Sequence, residues 1–311
     1  LNTPLRIPPE ENAKQKRNLK SLAMMANSEL SALLNLIEDP DEDVFNSITE
    51  RFVGMGKEII PILEEHQHGT HDEELIKKIN YIIDLVSLSV LTNELMEWKY
   101  SEDQSTIEAA LIISNYLNKE FNQENIFFEI EKIRRSIWLE LNDYLTPLEE
   151  VNIINKIVFG HYKFKGLETN YAKPNDFDLK GLITEKQANT FPIAALYLLI
   201  SEMLGLGLKP VDVPRQNLLC YYEEEPLFDE QGSSILFFID PLNGQIYTHK
   251  DIENYLKKIN YVPHPLQIPA VSNVRFVQKW LNELSKIEKE TEQDHKYNGI
   301  KALIEKLDDL Q

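Results

Sequence analysis

The stretch "FPIAALYLLISEMLGL", residues 191–206, constrains the fold more than any other part of the chain. Ile193, Leu196, Tyr197, Ile200 and Leu204 recur at helical spacing, which reads as the apolar face of a core helix. Pro192 suits the first helical position, where a missing amide donor costs nothing. A helix of this composition has to be buried, so the remaining chain must supply the layers that cover it. It opens on Asn189, Thr190, Phe191 and Pro192, with neither cysteine nor serine.

The segments before this helix read as helical. Residues 28–66 place Leu30, Leu33, Leu34 and Ile37 on one face and Val44, Ile48, Phe52 and Val53 on the next, across a turn "EDPDED" whose aspartates can cap the second helix. Further helices are expected over 72–96, 103–119 and 123–142. After residue 209 the texture changes. "KPVDVPRQNLLCYY" and "SSILFFIDPLNGQIYT" carry β-branched and aromatic runs broken by Pro, Asn and Gly, as strands of an antiparallel sheet do. The acidic "EEEPLFDEQG" between them reads as a loop, and helix returns over 250–259 and 272–310.

With 311 residues, the chain is long enough for two domains or for one domain with helical additions. Its formal charge of −19 and its lack of a Lys/Arg cluster interleaved with aromatics argue against a nucleic-acid partner. No run approaches the roughly 18 apolar residues of a membrane span, and the first twenty residues lack the apolar core of a secretion signal. The single cysteine, Cys220, excludes an internal disulfide and a multi-cysteine zinc site, which fits a reducing, cytoplasmic setting.

Four stretches in order, "STIEAALIISNYL", "VNIINKIVFGHYKFKGLETNYAKPND", "NTFPIAALYLLISEMLGLGLKPVDVP" and "FFIDPLNGQIYTHKDIENYL", resemble the bacterial SirB-type branch of the transglutaminase-like superfamily. The run "LLNLIEDPDEDVFNSITERFVGMGKEIIPILEEH" resembles a single HEAT-type repeat. The resemblance implies an α+β fold with a papain-like core, a buried helix against an antiparallel sheet. It further implies domains at 17–100 (helical cap), 101–262 (core) and 263–311 (helical tail).

In classical members a Cys at the helix opening, a His on the next strand and an Asp on the strand after it form a relay. The helix terminus favours thiolate, the imidazole takes the proton and the carboxylate fixes its tautomer. Here the nucleophile's seat falls on Phe191 and Pro192, Gln216 stands where the branch expects histidine, and only Asp240 of "FIDPLNG" survives. A carboxamide does not titrate near neutral pH and cannot act as general base.

Cys220 is expected on the same strand as Gln216 and roughly 13 Å from it at about 3.3 Å per residue, beyond proton-transfer reach, and reads as a core residue. His66, His68 and His71 in "HQHGTH" fit no common zinc spacing and read as an exposed loop, so no metal and no cofactor is expected. Tyr171, Asn175, Gln216, Asn217 and Asp240 are candidates to line a polar binding pocket over the helix opening, while Asp240 alone also reads as the pin of an Asp-Pro turn. The reading that follows is a non-catalytic protein that binds a peptide or protein partner. A hydrolase or acyl transferase using Asp240 with Tyr171 or His161 is the competing reading, and a purely architectural protein is a third.

Overall fold

The computed structural model describes residues 27–118, 122–167, 173–223, 234–262, 268–291 and 293–308. The chain divides into two compact units, residues 1–90 and 91–311.

In the first unit, helix α1 (Asn27–Leu36) is followed by α2 (Glu42–Met55), a 3-10 turn (Gly56–Ile59) and α3 (Ile60–His68). The turn "EDPDED" is built by its aspartates: Asp39 accepts from the Asp41 amide, and Asp41 caps α2 by accepting from the Asp43 amide, both at 2.9 Å. Gly56, at φ +75° and ψ −164°, takes a positive-φ conformation open to glycine and ends α2. Ile37, Ile48, Phe52, Ile59, Leu63 and Ile79 are buried together in one apolar cluster. Lys78 donates to the carbonyls of Ile37 and Asp39, satisfying groups that the end of α1 leaves open. Helix α4 (Glu73–Lys99) carries the chain from this unit into the next.

The second unit is assembled around one helix. Helices α5 (Thr106–Leu117) and α6 (Gln123–Trp138) precede α7 (Pro147–Asn155), whose last residues run on into a π-helical turn (Lys156–His161). Then come β1 (Lys165–Gly166), a 3-10 turn (Pro174–Phe177), α8 (Leu179–Glu185), β2 (Gln187–Ala188) and α9 (Thr190–Leu204). Every residue of α9 from Thr190 to Ser201 is buried, as its composition requires. It packs against α5, α6 and β3. Asn189 caps it by accepting from the Phe191 amide at 2.9 Å, and Gly205 closes it at φ +70°.

Strands β3 (Leu208–Pro210), β4 (Leu219–Tyr222), β5 (Ile235–Asp240) and β6 (Gln245–Tyr247) form an antiparallel sheet in that order. Pro210, which cannot donate to a ladder, sits on the edge strand. Register pairs Cys220 with Phe238 and Leu219 with Ile239. Leu218, Cys220 and Phe238 pack with Ile252 and Leu256 of α10 (His249–Lys258). The chain ends with α11 (Asn273–Glu290) and α12 (Asp294–Asp308), packed on each other and tied by hydrogen bonds from Gln278 to Asp308 (2.8 Å) and from Lys301 to Asn282 (2.6 Å).

Several boundaries differ from the sequence reading. The helix expected over 123–142 stops at Trp138, and the one expected over 103–119 covers Thr106–Leu117. The two-residue parallel pair β1–β2 is too short to leave a pattern. Its Gly166 is obligatory, because a Cβ there would stand 2.3 Å from the Leu242 carbonyl oxygen in the turn after β5. His66 and His68 occupy the last turn of α3 rather than a loop, with Gly69 as C-cap.

Candidate functional site

The opening of α9 is a packing site. Phe191 is 1% exposed, and its ring stacks on Phe177 (centroids 6.3 Å apart) and Trp280 (5.9 Å) and tilts against Phe276 (5.8 Å). Phe276 and Trp280 belong to α11, a helix expected as a tail, which here supplies part of the core at the mouth of α9. Pro192, the other residue expected at the nucleophile's seat, is buried as well. The one side-chain hydroxyl at this opening, on Thr190, is 7% exposed and donates to the Asn217 carbonyl at 3.5 Å.

Gln216 does not lie on β4. It ends a tight turn, bridged to Val213, in which Arg215 takes φ +60°. Its side chain therefore does not follow the alternation of the strand, and the expected Gln216–Cys220 alignment along one strand is corrected. The Gln216 carboxamide donates to the Tyr255 hydroxyl of α10 at 3.3 Å, and that hydroxyl donates to the Pro214 carbonyl at 2.9 Å. Lys279 of α11 donates to the Gln216 carbonyl (3.1 Å) and pairs with Asp212 (3.3 Å), which also meets Arg275 (3.2 Å). Burial lowers the Lys279 pKa, and Asp212 offsets part of that. Burial works to raise the Asp212 pKa, but Lys279 and Arg275 outweigh it and hold the carboxyl below its ordinary range.

Asp240 anchors the turn between β5 and β6. Its carboxylate accepts from the Leu242 amide at 2.9 Å, and its carbonyl accepts from the Gly244 amide at 2.8 Å. Gly244, at φ +75°, in turn accepts from Asn155 at 2.7 Å, and Asn155 accepts from the buried Tyr197 hydroxyl at 2.6 Å. Burial raises the Asp240 pKa, and the Leu242 amide opposes it. Burial also pushes the Tyr197 phenol up, with the Asp240 charge adding to the effect. The carboxylate is thus bound to the Leu242 amide of its own turn, while the turn's backbone is tied through Gly244 to Asn155 and Tyr197.

Among the described residues no hydrogen bond or ring contact joins Phe191, Gln216 and Asp240 to one another, or joins Asn175 to any of them. Asn175 is exposed on the 3-10 turn before α8, and Tyr171 lies outside the described residues. Cys220 is fully buried in the sheet core. Desolvation pushes its thiol up to about 12, so it is protonated and inert near neutral pH. His161 is exposed at the end of the π-helical turn, its ring edge-on to Tyr162.

In the first unit, His66 borders a cleft of about 450 Å³ together with Leu34, Glu38, Ile62, Glu65 and Leu75. Among the described residues no group of three or more His, Cys, Asp or Glu side chains is placed to hold a metal ion, and no helix is long and apolar enough to cross a membrane.

The residues that surround Gln216, namely Asp212, Tyr255, Arg275 and Lys279, escape sequence reasoning. They come from three separate segments, and nothing local marks a lysine on one helix as the partner of an aspartate some sixty residues earlier. Nucleophilic catalysis needs a nucleophile and a base within hydrogen-bond reach. The opening of α9 offers stacked rings and a buried threonine.

A mostly helical unit with a buried central helix and a small four-stranded antiparallel sheet is consistent with an α+β transglutaminase-like core. The transglutaminase-like superfamily matches residues 124–282, just over half of the chain, and the protein belongs to that superfamily. The match runs through α6 to most of α11, so it includes the helix that carries Phe276 and Trp280. Neither a curated protein nor a solved structure matches the chain.

Proposed function

We propose that this is a non-catalytic transglutaminase-like protein that binds a peptide or protein partner in a regulatory or scaffolding role. The observation that carries this reading is the Phe191 ring stacked between Phe177 and Trp280 at the position where the superfamily's relay would hold its nucleophile. Gln216 held by Tyr255 and Asp240 bound to the Leu242 amide of its own turn support it, since a carboxamide cannot act as general base and the carboxylate has a structural role to fill. Within the superfamily, the four sequence stretches support the SirB-type branch with a papain-like core. The helices of the first unit, with their Asp-Pro-Asp turn, read as a HEAT-like element. The single buried cysteine fits a cytoplasmic location.

The test is turnover of a panel of amide and ester probes by the full chain and by Asp240→Ala. Background rates for both support the reading. Turnover by the wild type that disappears in Asp240→Ala sinks it and favours the hydrolase or acyl transferase.

A further inference from the structure

Four of the ten large apolar side chains exposed among the described residues fall between positions 138 and 148. They are Trp138 (58% exposed), Leu139 (75%), Tyr144 (95%) and Leu148 (45%). They lie at the corner where α6 hands over to α7, and that corner is well built. The Tyr144 amide donates to the Asn142 side chain at 3.1 Å, and a capping box between Thr146 and Glu149 starts α7. Just inside the corner Ile133, Ile137, Val151 and Ile154 are fully buried, so the exposed set does not result from a loose helix end. A large aromatic and aliphatic patch on ordered backbone is what a protein-binding hot spot requires, since little further ordering opposes association.

Between Arg135 and Lys156, which are exposed and paired with Glu131 and Glu140, the charge is of one sign. Residues 136–155 contain Glu140, Asp143, Glu149 and Glu150 and no Lys, Arg or His. Glu140 is paired with Lys156 at 2.7 Å, and Glu150 accepts from the Tyr221 hydroxyl at 2.6 Å. Asp143 has no partner among the described residues. Glu149 is kept ionised by the Thr146 amide and hydroxyl, which lower its pKa. A second copy of this chain would bring the same carboxylates and a further formal charge of −19, and an anionic membrane would bring phosphates. Neither complements the corner. A cationic segment with an apolar face does, because its aliphatic groups cover the rings while its ammonium or guanidinium groups meet Asp143 and Glu149.

We propose that the α6–α7 corner, formed by Trp138, Leu139, Tyr144 and Leu148 with Asp143 and Glu149, is a docking surface for a basic amphipathic protein segment. This rests on the partner-binding half of the reading above. Its failure is separable from that of the non-catalytic half, since probe turnover would sink the latter and leave peptide binding at the corner unchanged.

The fluorescence of the full chain tests it directly. Trp98 and Trp280 are 2% and 0% exposed, so Trp138 is the tryptophan that can report docking from solvent. The probe is a synthetic helical Lys/Leu peptide, with a Glu/Leu peptide of the same spacing as control. The Lys/Leu peptide is expected to shift the emission to the blue saturably, with affinity falling as salt rises. Tyr144→Ala and Asp143→Lys are each expected to weaken it about tenfold. Glu305→Lys on α12, which changes the net charge equally, leaves it intact, and Trp138→Phe removes the shift. Unchanged affinity in both Tyr144→Ala and Asp143→Lys overturns the proposal. So does equal binding of the Glu/Leu peptide, or a shift that persists in Trp138→Phe. Binding to phosphatidylcholine vesicles without binding to the peptide, or a dimer that Tyr144→Ala dissociates, overturns it in favour of a lipid or a second copy.

Discussion

Replacing Phe191 with alanine tests whether the opening of α9 is part of the core or an emptied active site. The side chain is 1% exposed and meets three rings, Phe177, Phe276 and Trp280, with centroids 5.8–6.3 Å away. Removing a buried phenylalanine costs about 3–5 kcal/mol, from lost transfer free energy and from the cavity left behind. Aromatic pairs contribute about 0.5–1.5 kcal/mol each beyond the area they bury. These surroundings therefore place Phe191→Ala at the upper end, about 4–5 kcal/mol. Typical domain stability is about 5–15 kcal/mol, so the variant should unfold at much lower urea. Phe191→Leu retains most of the volume and loses the ring pairing, for a cost of about 1.5–2 kcal/mol. The assay is urea unfolding followed by tryptophan emission. All three tryptophans belong to the second unit, and Trp280 touches the substituted position. A loss below about 1 kcal/mol in Phe191→Ala would refute the argument, because it would mean the ring lines an open cleft that solvent can fill.

Three further outcomes follow from the same geometry. Tyr197→Phe removes a buried hydroxyl donor 2.6 Å from Asn155 and leaves that amide oxygen unpaired, so urea unfolding should show a loss of about 1–3 kcal/mol with the fold retained. Cys220, fully buried with its thiol pushed up to about 12, should resist a disulfide reagent at pH 8 in the native chain and react at once in urea; rapid native labelling would contradict its placement. Glu131, hydrogen-bonded to Arg134 and Arg135, has its pKa lowered from 4.5 to about 2. Because the folded pKa is depressed, its contribution is complete above pH 4.5 and is lost as pH falls toward 2. After solvent screening it is worth about 1 kcal/mol, and Glu131→Gln should flatten the acid limb of the stability curve over that window.

The residues that announce themselves in the sequence are those whose role is local. The apolar run of α9, its Asn189 cap and Pro192 in its first turn specify a buried helix without reference to anything else. The "DPLNG" turn after β5 is legible because Asp, Pro, Asn and Gly each have a turn-specific reason to be there. The failures are long-range or conformational. Gln216 looks like a strand residue until Arg215 takes a positive φ, which breaks the alternation with Cys220. His66 and His68 look like loop residues because Gly69 caps the helix they end. Nothing local predicts that Phe276 and Trp280, some eighty residues further on, fill the opening of α9. That contact makes the opening of α9 part of the core.

Peptide mass mapping after incubation with an activated ester measures whether anything at the mouth of α9 can attack a carbonyl. The account predicts acylation of exposed lysines alone, with no acyl group on residues 189–193, on Gln216 or on Cys220. A stoichiometric adduct on Thr190 or Cys220 that forms in the native protein and disappears in Asp240→Ala would contradict it.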